Sequence, residues 1–168
     1  RILCCLVLRP LSPCPPMTTR FCIVRHGETD WNLERRIQGH VDIPLNAAGR
    51  AQAQASSRGV AAHRFAALYS SDLLRALQTA QTLADVTGLQ VRPTPGLRER
   101  HYGAMQGMTF EDMLARDAST AQRFRARDLH FDFAGGETLP GFVDRVHASI
   151  ETLVAPHAEE TLLLVTHG

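Results

Sequence analysis

Strands alternating with helices predict an α/β fold, a three-layer α/β/α sandwich around a mostly parallel sheet. Three observations carry this. Short apolar runs recur at 21–24, 65–69, 89–91 and 161–165. Stretches with helical spacing of apolar or small residues separate them. Two of the runs also end alike: Phe21-Cys22-Ile23-Val24 enters Arg25-His26-Gly27, and Leu162-Leu163-Leu164-Val165 enters Thr166-His167-Gly168.

Residues 21–24 read as a buried strand. Asn46 is placed to cap a helix running to about His63, with Ala51, Ala55 and Gly59 as its sheet-packing stripe. The second strand, 65–69, leads into Ser70-Ser71-Asp72. There Ser71 is expected to cap a helix with an apolar face of Leu73, Leu74, Leu77, Ala80 and Ala84. Gly88 ends that helix, and Pro93 and Pro95 stop the strand at 89–91. Residues 97–107 look irregular and 109–127 weakly helical. Gly135-Gly136-Glu137-Thr138 turns into a helix whose apolar positions are Leu139, Phe142, Val143, Val146, Ile150, Leu153 and Val154, closed by Pro156. The last strand, 161–165, delivers His167.

The 168 residues suit one domain, and 44% hydrophobic with 21% charged residues excludes disordered, collagenous and coiled-coil chains. The net charge of +1 gives no global field for nucleic acid or an acidic membrane surface, so neither is expected as a partner. All 18 basic residues are Arg, so a phosphate site here must use Arg, His or backbone N–H groups. The apolar run 2–8 is too short to span a bilayer and lacks a signal-peptide cleavage pattern. Met17 is the natural start. Residues 1–16 are expected to be a non-native or disordered extension, and 17–168 the domain. Because the chain stops as a strand delivers a histidine, the domain is expected to be incomplete at its C-terminus. Cys4, Cys5 and Cys14 lie in the extension, and Cys22 is the one cysteine of the body. A body with one cysteine has no internal disulfide, which fits a reducing cytoplasm.

Ligands of open α/β sheets bind beyond the carboxyl ends of the strands. Two parallel neighbouring strands would bring His26 and His167 into one pocket, with each following Gly permitting a tight exit and close ligand approach. The segments Arg25-His26-Gly27-Glu28-Thr29, Asp30-Trp31-Asn32, Gln38-Gly39, Asp42-Ile43-Pro44-Leu45-Asn46, Ser70-Ser71-Asp72-Leu73-Leu74-Arg75-Ala76 and Leu97-Arg98-Glu99-Arg100-His101-Tyr102-Gly103 follow in order. Gly135-Gly136-Glu137 and Thr166-His167-Gly168 complete the set. Over residues 21–168 the chain resembles the histidine phosphatase superfamily, the phosphoglycerate-mutase-like proteins.

That resemblance implies that His26 is the nucleophile and Glu99 the proton donor, with His167 completing the catalytic group. It implies a phosphate pocket of Arg25, Asn32, Arg75 and His167. Gln38 and Gly39 form a loop near the phosphate, with or without direct contact. Tyr102 either lines the substrate pocket or packs in the core. Glu28 supports the loop. His40, His63, His101, His130, His147 and His157 show no metal-ligand spacing, and no metal or cofactor is expected. The expected partner is a small phosphorylated metabolite. The Glu99-Arg100-His101-Tyr102-Gly103 run resembles the true mutases. Yet Phe110 stands where those mutases carry a Lys, Arg123, Arg125 and Arg127 are spaced rather than adjacent, and Gly135-Gly136-Glu137 resembles the phosphatases. The reading taken is a phosphatase. Its alternatives are a cofactor-dependent phosphoglycerate mutase and an inactive truncated fragment.

Overall fold

The computed structural model describes residues 3–7, 18–129, 131 and 133–168. Expectations on Cys14, Met17 and His130 lie outside the described residues. Five strands form one sheet: β1 (Leu3–Val7), β2 (Arg20–Arg25), β3 (Ala67–Ser70), β4 (Val91–Pro93) and β5 (Thr161–Thr166). Their order is β1-β2-β5-β3-β4, with β1 antiparallel to β2 and the other pairs parallel. Part of the expected extension, Leu3–Val7, therefore lies on the sheet edge.

Alternation along the strands sorts the core into two faces. Val24, Leu68, Leu163 and Val165 pack against α2 (Ala47–Val60) and α3 (Leu74–Thr87). Phe21, Ala67, Tyr69, Leu162 and Leu164 pack against Leu153 of α6 (Leu139–Val154). The result is the expected three-layer sandwich. A third cluster, with Met105, Met113, Ala121, Phe131 and Phe133, consolidates the segment bearing α4 (Phe110–Arg116) and α5 (Ala118–Arg125).

Several local expectations are corrected. Asn46 does cap α2, its side chain accepting from Gly49 N. The buried face, however, is Gly49, Ala53, Ser57 and Val60, whereas Ala51, Ala55 and Gly59 are exposed. Ser71 is not the cap residue of α3. Leu73 holds that position without a side-chain cap, and Leu74 N instead donates to Asp42 Oδ1 at 2.6 Å. Leu74 and Leu77 are half-buried, and the buried face includes Arg75 and Thr79. Pro93 lies within edge strand β4, where a missing N–H costs no ladder bond on the open side. The 109–127 stretch is two helices, because extended Asp117 ends α4 and caps α5. A short helix, α1 (Asp30–Leu33), opens on a Thr29–Asn32 capping box.

Gly27 lets the exit of β2 touch the start of α2. A Cβ on Gly27 would lie 2.3 Å from Gly49 O, and one on Gly49 would lie 2.0 Å from Glu28 O. Both obstacles are backbone atoms, so no side chain can rotate away. Gly27→Ala is expected to cost about 1–3 kcal/mol of stability and to shift His26 with it. A lowered urea midpoint with reduced turnover is the expected reading, and an unchanged midpoint would remove the argument.

Candidate active site

The carboxyl ends of β2, β5 and β3 meet at one edge, where Arg25 pairs with Thr166 and Ser70 with Val165. His26 leaves β2 with its N–H on Thr166 O at 3.0 Å. His167 leaves β5, and the two imidazole centroids lie 5.1 Å apart. A cavity of about 160 Å³ opens beside them, lined by Arg25, His26, Asn32, Gln38, Gly39, Arg75, Glu99 and Tyr102 together with Arg36, Ile37 and Phe124. The structure thus gathers eight of the expected residues around one space, and His167 stands against the His26 ring.

Hydrogen bonding fixes how each ring is presented. The Gly27 carbonyl lies 2.7 Å from His26 Nδ1. A carbonyl only accepts, so the proton sits on Nδ1 and Nε2 carries the lone pair. Burial pushes the His26 pKa down to about 4. The Gly27 carbonyl opposes this, and the Arg75 and Arg25 charges add to it. His167 Nε2 lies 2.8 Å from Ser71 Oγ. That oxygen also accepts from Leu73 N at 3.3 Å. Nδ1 is buried and has no partner. Burial and the charge of Arg75 hold the His167 pKa near 2.

Arg75 is 1% exposed, the second residue of α3. Its Nη1 donates to Val41 O at 3.0 Å and its Nη2 to Gly39 O at 2.8 Å, while Nε has no partner. Burial lowers its pKa to about 10, so it stays charged at neutral pH. Gly39 therefore contributes a carbonyl that holds Arg75, from a φ of +53° at which a Cβ would strike Gln106 Oε1. Gln38 Oε1 is buried and unpartnered. Thr29 N and Oγ1 both donate to Asn32 Oδ1 at 3.0 Å, which turns the Nδ2 donors away for other use.

Glu99 is lifted above the usual carboxylate range by burial, against the Arg100 N–H on Oε1 and the charges of Arg75, Arg25 and Arg145. Tyr102 lines the cavity and also stacks edge-on with Phe124 and Phe133. Glu28 Oε1 accepts from Asn46 Nδ2 at 3.0 Å, as loop support. Glu99, Tyr102 and Phe124 also border a second space of about 490 Å³ lined by Arg100, Arg123, Arg125 and Arg127. Sequence reasoning missed Arg36, Phe124 and the Ser71–His167 bond. Arg36 follows Arg35 just ahead of Gln38, a basic pair that signals the cavity, whereas nothing in the sequence marks Phe124.

Residues 21–168 match the family described as the histidine phosphatase superfamily (branch 1). The chain is 41% identical to phosphoglycerate mutase-like protein 4 of Arabidopsis thaliana over 149 residues, 87% of this chain and 65% of that one. It is 35% identical to the metal-independent phosphoserine phosphatase of Arabidopsis thaliana, over 89% of this chain and 64% of that one. The chain thus spans just under two thirds of the length of these two relatives. Among solved structures, YhfR of Bacillus stearothermophilus aligns with a TM-score of 0.84 at 34% identity, covering 89% of this chain and 74% of that one. A mycobacterial glucosyl-3-phosphoglycerate phosphatase aligns with a TM-score of 0.80 at 34% identity, covering 87% and 72%.

Proposed function

Because the chain belongs to branch 1 of the histidine phosphatase superfamily, we propose that it hydrolyses a small phosphomonoester through a phosphohistidine formed on His26. One observation carries the reading. The Nδ1 proton of His26 is held by Gly27 O, which leaves a neutral Nε2 at a cavity shared with Arg25, Arg75 and Glu99.

In the first step the Nε2 lone pair forms a P–N bond as the ester P–O bond breaks. The leaving alkoxide takes the proton of the Glu99 carboxyl, whose burial keeps it protonated above the ordinary carboxylate pKa. In the second step water attacks phosphorus, its proton passes to the Glu99 carboxylate, and the P–N electrons return to Nε2. Arg25 and Arg75 fork onto the phosphoryl oxygens, with Asn32 Nδ2 as a further donor and His167 packed against the His26 ring. Domain 17–168 carries this chemistry, and with Cys22 as the body's one cysteine we place it in a reducing cytoplasm.

The test is a phosphomonoester panel that includes 3-phosphoglycerate and phosphoserine, scored for free phosphate and for isomerised product, with and without excess EDTA. Free phosphate at an EDTA-insensitive rate is expected, since arginines supply the positive charge of the cavity. Isomerised product would make the chain a mutase. Rescue by Mg²⁺ or Zn²⁺ after EDTA would overturn the metal-free scheme. A cooperative far-UV melt without turnover on any ester would overturn the enzymatic reading.

The two shifted groups set the pH dependence. His26 must be neutral, so kcat/KM falls as pH drops through about 4. Glu99 must be protonated, so the rate falls again as pH rises through its elevated pKa. A bell with its acid limb well below 6.5 is expected, and an acid limb at the ordinary imidazole pKa would contradict the neutral, buried His26.

A further inference from the structure

We propose that Arg145, on α6, is a positioning residue that sets the Glu99 carboxyl at the cavity by holding the backbone of the 96–101 loop. This assignment rests on Glu99 as proton donor. Arg145 lines neither the phosphate cavity nor the space beside it, so it acts through the loop.

All five guanidinium N–H donors are engaged. Nε donates to Glu137 Oε1 at 2.6 Å and Nη2 to Glu137 Oε2 at 2.9 Å. Nη1 donates to Gly96 O at 2.9 Å and Arg98 O at 3.2 Å, and Nη2 to Glu99 O at 3.1 Å. Three carbonyls of one loop thus converge on one planar fork. Glu137 ties the far end of the loop, accepting from His101 N at 2.8 Å and donating its own N–H to His101 O at 2.8 Å. His40 Nε2 donates to the Glu99 carbonyl at 2.8 Å.

Docking α6 needs none of this, because Ile150, Leu153 and Val154 already pack on the sheet. A partly buried ion pair is a weak source of stability. What a rigid five-donor fork contributes is position, and a displacement of about 1 Å can cost about 10²-fold in rate. Lys has the charge but one nitrogen, which cannot span Gly96, Arg98, Glu99 and Glu137 at once.

The experiment compares Arg145→Lys, Glu99→Gln and the double variant on glycerol 3-phosphate and p-nitrophenyl phosphate. Arg145→Lys is expected to lose about 10- to 100-fold in kcat on the alkyl ester and less than about threefold on the aryl ester, which needs no proton. Inhibition by orthovanadate should be unchanged. On the Glu99→Gln background, Arg145→Lys should add no further loss on the alkyl ester. Equal losses on both esters with Glu99→Gln still selective would overturn the role of Arg145 alone. So would a full independent loss in the double variant. Glu99→Gln slowing both esters alike would overturn the proton donor and the positioning role together. Should Arg145→Lys lack a cooperative melt, Glu137→Gln is held to the same alkyl-to-aryl ratio, with the same outcomes.

Discussion

His26→Ala is expected to abolish phosphate release, with a loss of about 10⁴–10⁶-fold in kcat, the scale seen when a covalent nucleophile is removed. Phosphomonoester hydrolysis is among the slowest uncatalysed reactions, so electrostatic binding of the ester by Arg25 and Arg75 cannot replace the missing P–N bond. His167 cannot substitute. Its Nε2 is engaged with Ser71 Oγ, and it does not line the cavity. The parent should form a phosphoenzyme during turnover that survives base and is lost in acid, as a phosphoramidate is. Rapid quench followed by peptide mapping places it. The variant should form none. Phosphate found on any other side chain, or a fully active variant, would refute covalent catalysis at His26.

Strands β2, β3 and β5 were legible as apolar runs, and alternation alone assigns Phe21 and Val24 to opposite faces, whereas β1 lies in the expected extension and β4 begins where the expected 89–91 strand ends. The face of α2 was not. Small residues occupy all its sides, so hydropathy cannot tell Ala51 and Ala55 from Ala53. The choice is made by a tertiary contact, the backbone approach of Gly49 to Gly27 and Glu28. Ser71 misled for a related reason. Its hydroxyl is the right chemistry for a cap, but a loop 32 residues away delivers Asp42 to Leu74 N and leaves Ser71 to His167. At the site, the strand-end histidines could be placed from the Arg25-His26-Gly27 and Thr166-His167-Gly168 exits. Arg145 could not, since its partners Gly96, Arg98 and Glu99 lie 46–49 residues away and are backbone carbonyls, which every residue type provides.

Glu99→Gln and Arg75→Lys are expected to separate proton donation from phosphoryl binding. Glu99 is a buried carboxyl whose burial raises its pKa against two neighbouring arginines, the direction a proton donor needs. Gln keeps its shape and an acceptor for Arg100 N but has no proton of comparable acidity to give. General acids contribute about 10²–10⁴-fold, so a loss of that size is expected on an alkyl phosphate. On p-nitrophenyl phosphate the leaving group is stable as an anion and most of the loss should vanish. Arg75→Lys keeps a charge but gives up the fork that now spans Gly39 O and Val41 O. Losing one preorganised donor set costs about 10²–10³-fold. That loss should be equal on both esters, because the phosphoryl group is common to them. Steady-state kinetics on the two substrates decides. If Glu99→Gln slows both equally, Glu99 orients His26 or the arginines instead of giving a proton. If Arg75→Lys discriminates between the leaving groups, its guanidinium serves the alcohol side of the ester and not the phosphoryl oxygens.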